Sequence, residues 1–469
     1  MRIIVIGGGI TGLSAAHRLV ELCSDKNLPL ELLLLEGSDR LGGAIATKRR
    51  DGFLIEEGPD SFITTKPWAI ELCRRIGLDS QIIQTNDENR RTFVLHHNQL
   101  IPLPEGFLMM MPTRFIPFLT SSLFSWHGKM RMLLDLVIPR AQQSNDESLA
   151  SFVKRRLGQE VLERVAQPMI SGIYTADPEK LSLRATMPQF LEMEERHGSL
   201  IRAMLHEQRA AKQLTKGESG ARYSLFVSFT NGMQTLVDAL AARLPEGSVK
   251  LNHSVKSLET NTRGWNVITD QGMALHADGV IITIPSHRAA RLVDRFDQPL
   301  AADLSRIEYA SSAVINLAYR KEDMSHPLDG FGFVVPIIEK RPMIACSFTS
   351  VKLAGRAPDG FVLLRCFVGG AMQPEVYEQD DSKLIETSHK ELVDLLEIKG
   401  QPLFAMVHRY PKSMPQFQVG HLELVTKIDH KVSKYPGLAI AGNAYGGVGI
   451  PDCIHSGESA AEAILKTIY

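Results

Sequence analysis

The sequence predicts a mixed fold, α/β and α+β: an α/β unit wound around a parallel sheet, an antiparallel-sheet domain, and a domain of helices. Three observations predict it. Short, continuous apolar runs lie at Arg2–Ile6, Leu30–Leu35, Gly279–Ile284 and Leu438–Ala441, and such runs suit strands buried on both faces of a parallel sheet. A glycine cluster, Gly7-Gly8-Gly9-Ile10-Thr11-Gly12, stands between the first run and a helical pattern. Alternating runs separated by turn residues recur from Ala313 to Val368, the mark of an antiparallel sheet. With 469 residues the chain exceeds one core, since domains usually run about 100–200 residues.

The elements follow in order. Leu13, Ala16 and Leu19 recur at helical spacing within Thr11–Glu21, so a helix follows the first strand. Ala44–Glu56 reads as a strand pair turning at Asp51-Gly52. From Pro67 to His206 the pattern is mostly helical, as in Ser148–Arg156 and Leu183–Glu195, and the polar stretch Ala211–Tyr223 reads as an exposed loop. Val249–Leu258 and Trp265–Thr269 alternate as strands, and Ala313–Tyr319, Gly332–Val335, Ile344–Phe348 and Phe361–Val368 form the later sheet. Asp452–Lys466 is the closing helix. The α/β unit is therefore discontinuous, over residues 1–75, 225–290 and 422–469. Residues 76–103 and 291–421 are assigned to the antiparallel-sheet domain, and 104–224 to the helical one.

Composition excludes several classes. The formal net charge is −1, so no basic field exists to gather nucleic acid. The five cysteines lie far apart with no C-x-x-C, which predicts reduced thiols in a cytoplasmic protein. The fifteen histidines show no ligand spacing, so no metal is expected. The N-terminal apolar stretch is cut by glycines and carries no cleavage pattern. No apolar run is long enough to span a bilayer. Phe107–Phe124, interrupted by Pro112, Arg114 and Pro117, reads either as a buried helix or as a surface resting in the membrane interface.

The glycine cluster is a G-x-G-x-x-G between strand and helix. Gly7 permits the turn, Gly9 lets the backbone approach a pyrophosphate, and Gly12 lets helix and strand pack closely, with Gly8, Ile10 and Thr11 completing the loop. The helix start supplies N–H donors and a positive dipole end. Glu36, 24 residues past Gly12, can accept from ribose hydroxyls. These features define a Rossmann-type unit. Gly37 follows, then Ser38-Asp39-Arg40-Leu41-Gly42-Gly43-Ala44. Arg40 can reach the pyrophosphate, and the paired glycines let the main chain pass a ribityl chain. This run resembles the R-x-G-G continuation of the glutathione-reductase-like and amine-oxidase-like folds, and implies FAD. Gly58-Pro59-Asp60-Ser61 resembles the part of that fold beside the isoalloxazine. Gly442-Asn443, then Gly446 to Asp452, open the closing helix. Asn443 stands where related flavoproteins often carry Asp and can still bond a ribityl or pyrophosphate oxygen. Gly449, Ile450 and Pro451 lead into the helix, so its first N–H groups can face the flavin N1–C2=O edge and stabilise negative charge on reduction.

A narrower resemblance rests on Ser171-Gly172-Ile173-Tyr174-Thr175-Ala176-Asp177-Pro178 with Leu181-Ser182, on Pro188-Gln189-Phe190, on Gly198-Ser199-Leu200-Ile201, on Ser413-Met414-Pro415-Gln416, and on Gly447 to Ile454. These resemble the bacterial, Bacillus-type, oxygen-dependent porphyrinogen oxidases, over residues 3 to about 466. The resemblance implies six-electron oxidation of a porphyrinogen (coproporphyrinogen III or protoporphyrinogen IX) to the porphyrin, with O2 consumed, H2O2 released and no catalytic side chain assigned, because flavin N5 carries the chemistry. It implies FAD contacts at Val255 and Tyr410, and a cavity walled by Ile173, Tyr174, Thr175, Phe331 and Phe333. The two phenylalanines read equally as core packing. Lys66 reads as a cation for a substrate propionate or as a solvated surface lysine, and Asp60 as a structural or a substrate contact. Thr175-Ala176 departs from the family's Ala-Gly, so Ala176 must avoid positive φ or accept strain. A ferrochelatase, as the next haem-pathway enzyme, and a peripheral membrane contact are implied partners. Two alternatives remain: an amine or polyene oxidase of the same fold, and a non-catalytic, flavin-bearing tetrapyrrole partner.

Overall fold

The computed structural model describes residues 1–86, 88, 90–104, 107–108, 111–112, 115–141, 146–206, 225–261 and 264–469. The Ala211–Tyr223 loop and part of Phe107–Phe124 lie outside them. The chain divides into two compact units. The first comprises residues 1–85, 223–309 and 422–469, and the second 86–222 and 310–421. The helical segment and the antiparallel sheet thus share one unit, and the boundaries expected after residues 75 and 290 fall after 85 and 309.

In the first unit, five strands form a parallel sheet in the order Val249–Lys250, Glu31–Leu35, Arg2–Ile6, Gly279–Ile282, Leu438–Ile440. Strand alternation sends Ile3, Val5, Leu32, Leu34 and Ile281 into one core and Ile4, Ile6, Leu35, Val280 and Ile282 into another. Burial on both faces explains why these strands read as unbroken apolar runs. The helices Ile10–Asp25 and Ile450–Ile468 cover the first face. They touch where Gly457 lies against the Thr11 carbonyl, with no room there for a Cβ. A three-stranded antiparallel sheet (Val255–Asn261, Gly264–Thr269, Ala274–Ala277) and the helices Ser286–Val293 and Gln298–Ser305 cover the other face.

In the second unit a seven-stranded sheet runs Phe404–Pro415, Tyr309–Arg320, Phe361–Gly369, Ala345–Phe348, Gly332–Val334, Thr92–His96, Gln99–Pro102. Gly332–Val334 pairs parallel with Thr92–His96, and the pairs Tyr309–Arg320 with Phe361–Gly369, Phe361–Gly369 with Ala345–Phe348, Ala345–Phe348 with Gly332–Val334, and Thr92–His96 with Gln99–Pro102 are antiparallel. One face is apolar, and Leu384, Leu392, Leu395 and Leu396 of the helix Asp381–Leu396 close over it. The helical part holds Trp126–Leu133, Leu149–Arg156, Gln167–Tyr174, Leu183–Thr186 and Pro188–His197. A buried ion pair ties it together. Arg156 Nε donates to Asp135 Oδ1 at 2.7 Å, and Ser199 Oγ and the Ile201 N–H donate to Asp135 Oδ2 at 2.6 and 2.9 Å. Neither Arg156 nor Asp135 is exposed to solvent. Among the described residues no helix is long and apolar enough to cross a membrane, and no group of His, Cys, Asp and Glu is placed to hold a metal.

Candidate cofactor site and its relatives

The first unit brings its glycine loops together beyond the ends of the parallel strands. Residues Gly9 and Gly42 form an isolated bridge, and the Gly42 N–H donates to the Gly8 carbonyl at 2.8 Å. A Cβ built on Gly9 meets no atom within 4 Å, whereas one on Gly12 overlaps the Gly7 carbonyl oxygen. Gly9 therefore faces open space that a side chain would fill, and Gly12 is where helix meets strand. This is the cradle a pyrophosphate needs, with the N-terminus of Ile10–Asp25 aimed at it.

Glu36 ends its strand beside this loop. Its Oε2 accepts from the Gly8 N–H at 2.6 Å, and its Oε1 accepts from the Ser38 N–H and Oγ, both at 2.8 Å. These bonds fix the carboxylate at the loop's edge and leave acceptor capacity for ribose hydroxyls. The segment behind Glu36 is clasped from the chain before Val255. The His253 N–H donates to the Glu36 carbonyl at 2.8 Å, the Asn252 N–H donates to the Ser38 carbonyl at 2.9 Å, and a Cβ on Gly37 would strike Ser254. Arg40 is tied to its own loop. Its guanidinium donates to the carbonyls of Leu41, Gly43 and Ile45 at 2.6–3.1 Å. Here it braces the Gly42-Gly43 loop, which carries Ala44.

Gly58, Pro59, Asp60 and Ser61 follow the buried strand Phe53–Glu56. The Ser61 hydroxyl donates to Asp60 Oδ1 at 2.7 Å, and the Asp60 carbonyl accepts from Ser228 Oγ at 2.7 Å. Asp60 thus has structural bonds, and it is buried. At the other end, the Gly442 N–H donates to Ser456 Oγ at 3.0 Å. Asn443 and Gly446 leave the sheet just before Gly449, whose extended backbone caps the helix begun by Ile450 and Pro451. Cys453, on that helix, is buried, and burial pushes its thiol up to about 12. A neutral, enclosed thiol is a poor nucleophile, which suits a flavin held without a covalent link. Lys66 keeps part of its side chain in solvent and pairs its Nζ with Asp452 Oδ1 at 2.6 Å.

The remaining expected residues lie in the second unit. Tyr410 is on its edge strand Phe404–Pro415. Phe333 is core, because alternation turns it to the apolar face, where its ring meets Phe348 at 6.1 Å. Phe331, half-buried, joins strand ends: its N–H donates to the Arg91 carbonyl and its carbonyl accepts from the Phe348 N–H. Gly172 and Ile173 are exposed, and Tyr174 stands near Phe417 at 6.4 Å. The downstream half of that signature is a structural clasp. The Glu179 N–H donates to Asp177 Oδ1, the Ala150 N–H donates to the Pro178 carbonyl, and Ser182 Oγ accepts from the Ala185 N–H to cap the next helix. Of the two alternatives for Ala176, the chain takes the first and avoids positive φ, and the left-handed residue is the one before it. Thr175 has φ +48° and ψ 30° as it ends the helix Gln167–Tyr174, and Ala176 is not among the positive-φ residues. Thr175 borders a small cleft with Gln167, Ser171, Ile337, Arg341 and Met343, and its buried hydroxyl has no partner among the described residues.

A nucleotide cradle, an acidic strand end and a glycine-opened C-terminal helix together define an FAD-dependent oxidoreductase. The flavin-containing amine oxidoreductases match residues 10–465, and the chain belongs to that family. Within it, the chain is 36% identical to the coproporphyrinogen III oxidase of Bacillus subtilis, covering 100% of this chain and 98% of that protein. It is 35% identical to the coproporphyrinogen III oxidase of Staphylococcus aureus, covering 99% of each. A solved structure from Exiguobacterium sp., assigned as a protoporphyrinogen oxidase, superposes with a TM-score of 0.86 at 30% identity, over 99% and 98% of the two chains.

Proposed function

We propose that this chain oxidises a porphyrinogen to its porphyrin, with coproporphyrinogen III preferred over protoporphyrinogen IX. The supporting observation is full-length likeness to two coproporphyrinogen III oxidases in a chain whose cofactor cradle is intact. Bound FAD supplies the two-electron oxidations, three per substrate, with O2 as the final acceptor and H2O2 as product. The chain's own residues bind and orient. The turn at Gly9 and the first turn of Ile10–Asp25 would present N–H groups to the pyrophosphate, Glu36 would accept from ribose, and Gly42-Gly43 with Gly58–Ser61 and Gly442-Asn443 would let main chain run beside the ribityl region. The first turn of Ile450–Ile468 gives positive potential to the flavin edge. Ile173 and Tyr174 supply apolar surface to the macrocycle.

A peripheral membrane contact is a second part of this reading. Trp126, Met130, Leu134 and Val137 are all exposed, at helical spacing along one stretch. The one acidic residue from Phe107 to Arg140, Asp135, is buried, so the stripe suits an anionic interface. Metal insertion by a ferrochelatase is the reaction class that would consume the porphyrin.

The test is anaerobic stopped-flow mixing of the holoprotein with coproporphyrinogen III, protoporphyrinogen IX and a polyamine, following flavin bleaching, together with steady-state kcat/KM. We expect both porphyrinogens to bleach the flavin, and kcat/KM to favour coproporphyrinogen III. A ratio favouring protoporphyrinogen reverses the preference, and bleaching by the polyamine alone overturns the substrate class.

A further inference from the structure

The helix Ile450–Ile468 is laced to residues 66–75 at three successive levels. Lys66 Nζ meets Asp452 Oδ1 at 2.6 Å, the Trp68 ring stacks on His455 at 4.1 Å and 6°, and Arg75 pairs with Glu458. Residues 452, 455 and 458 share one helix face, so the stack and the second ion pair hold Lys66 in register. Only the first level sits in the helix's opening turn. The Asp452 carboxyl lies against the loop before the helix, where a Cβ on Gly447 would strike it and one on Gly449 would come within 3.0 Å. Its side chain is 9% exposed, against 43% for Lys66.

This places a shielded negative charge where the helix offers its positive end. The macrodipole is worth roughly +0.5 charge at that terminus, and one unpaired carboxylate in the same turn would cancel it. Lys66 neutralises the carboxylate and restores the field. The two-electron, one-proton reduction of a flavin adds one negative charge to its ring, so the field at this helix end weights the reduced form against the oxidised one.

We propose that the Lys66–Asp452 pair sets the reduction potential of the FAD bound at this helix terminus, with Lys66 a positioning residue for charge and not a ligand of the substrate propionates. The inference rests on the FAD site above and is independent of which substrate is oxidised. The experiment is an anaerobic dye-coupled redox titration of FAD-loaded protein, with no porphyrinogen present. Lys66→Met leaves a net negative charge, and the potential is expected to fall. Asp452→Asn leaves a net positive charge, and the potential is expected to rise. Each change should alter the two-electron equilibrium at least tenfold, about 30 mV. Lys66→Arg and the double variant Lys66→Met with Asp452→Asn should stay near wild type, which a merely structural loss would not produce. The flavin spectrum and FAD stoichiometry report retained loading, and Lys66→Gln replaces Lys66→Met if the latter does not hold FAD. Shifts of the same sign in both single variants, or none in either, overturn the proposal. So does an unmoved potential in Lys66→Met with a tenfold rise in KM for coproporphyrinogen III, which would make Lys66 a propionate ligand. A wild-type chain that holds FAD yet oxidises no porphyrinogen sinks the proposed substrate and leaves this test intact.

Discussion

Gly9 and Gly12 are three residues apart and serve opposite purposes. Gly9 faces empty space, so Gly9→Val should fold, with an apoprotein melting temperature within a few degrees of wild type, yet purify without its yellow colour. Gly12→Val should fail to fold, because its Cβ overlaps the Gly7 carbonyl. Stoichiometric FAD in Gly9→Val would mean the cradle lies elsewhere. Thr175 gives a second residue-scale prediction. A β-branched residue at φ +48° costs about 1 kcal/mol or more, and its hydroxyl lacks a partner among the described residues. Thr175→Gly should therefore stabilise the protein by about 0.5 kcal/mol after the unfolded-state entropy of glycine is counted. Ala176→Gly should cost about 0.5–1 kcal/mol, and urea denaturation of both variants checks the opposite signs. The glycine loops and Glu36 are legible in the sequence because local backbone demands select the residue type. The placements of Lys66 and Phe333 are not, because Lys66 pairs with a residue distant in sequence and Phe333 depends on which face its strand turns inward.

At the scale of elements, the parallel strands and the Asp51-Gly52 hairpin are legible because burial on two faces and turn chemistry write themselves locally. Val249–Leu258 looks like one alternating strand but serves two sheets. Val249–Lys250 joins the parallel sheet, Val255–Asn261 the antiparallel one, and the intervening residues clasp Glu36–Ser38. Leu183–Glu195 reads as one helix but breaks at Met187 (φ −142°), the residue before Pro188, where helical backbone is disfavoured. Thr92–His96 and Gln99–Pro102 hide in a mostly helical stretch because they lie at a sheet edge, far in sequence from their partner strand. The Arg156–Asp135 pair is equally invisible, since it joins a helix to distant turns. Arg156 also donates to the carbonyls of Ile138 and Gly198. Arg156→Leu should destabilise the second unit by about 3–5 kcal/mol, the usual cost of stranding a buried charge. A loss under 1 kcal/mol in urea titration would show that water reaches Asp135.

For the whole molecule, the cofactor cradle draws on three separated stretches of chain, so FAD binds only when the first unit is folded. Free FAD at about 100 times its Kd should add about 2.7 kcal/mol to that unit's stability by mass action. Calorimetry on apoprotein with added FAD checks this, and an unmoved transition would mean the site is not coupled to folding. The same arrangement bears on how the protein is made. The strand Arg2–Ile6 and its glycine loop leave the ribosome long before Gly457, on which their helix Ile10–Asp25 rests. A nascent chain cannot be loaded with FAD until the helix Ile450–Ile468 has emerged. Products terminated within this helix should therefore be colourless and open to proteolysis, so yellow colour doubles as a certificate that translation ran through it.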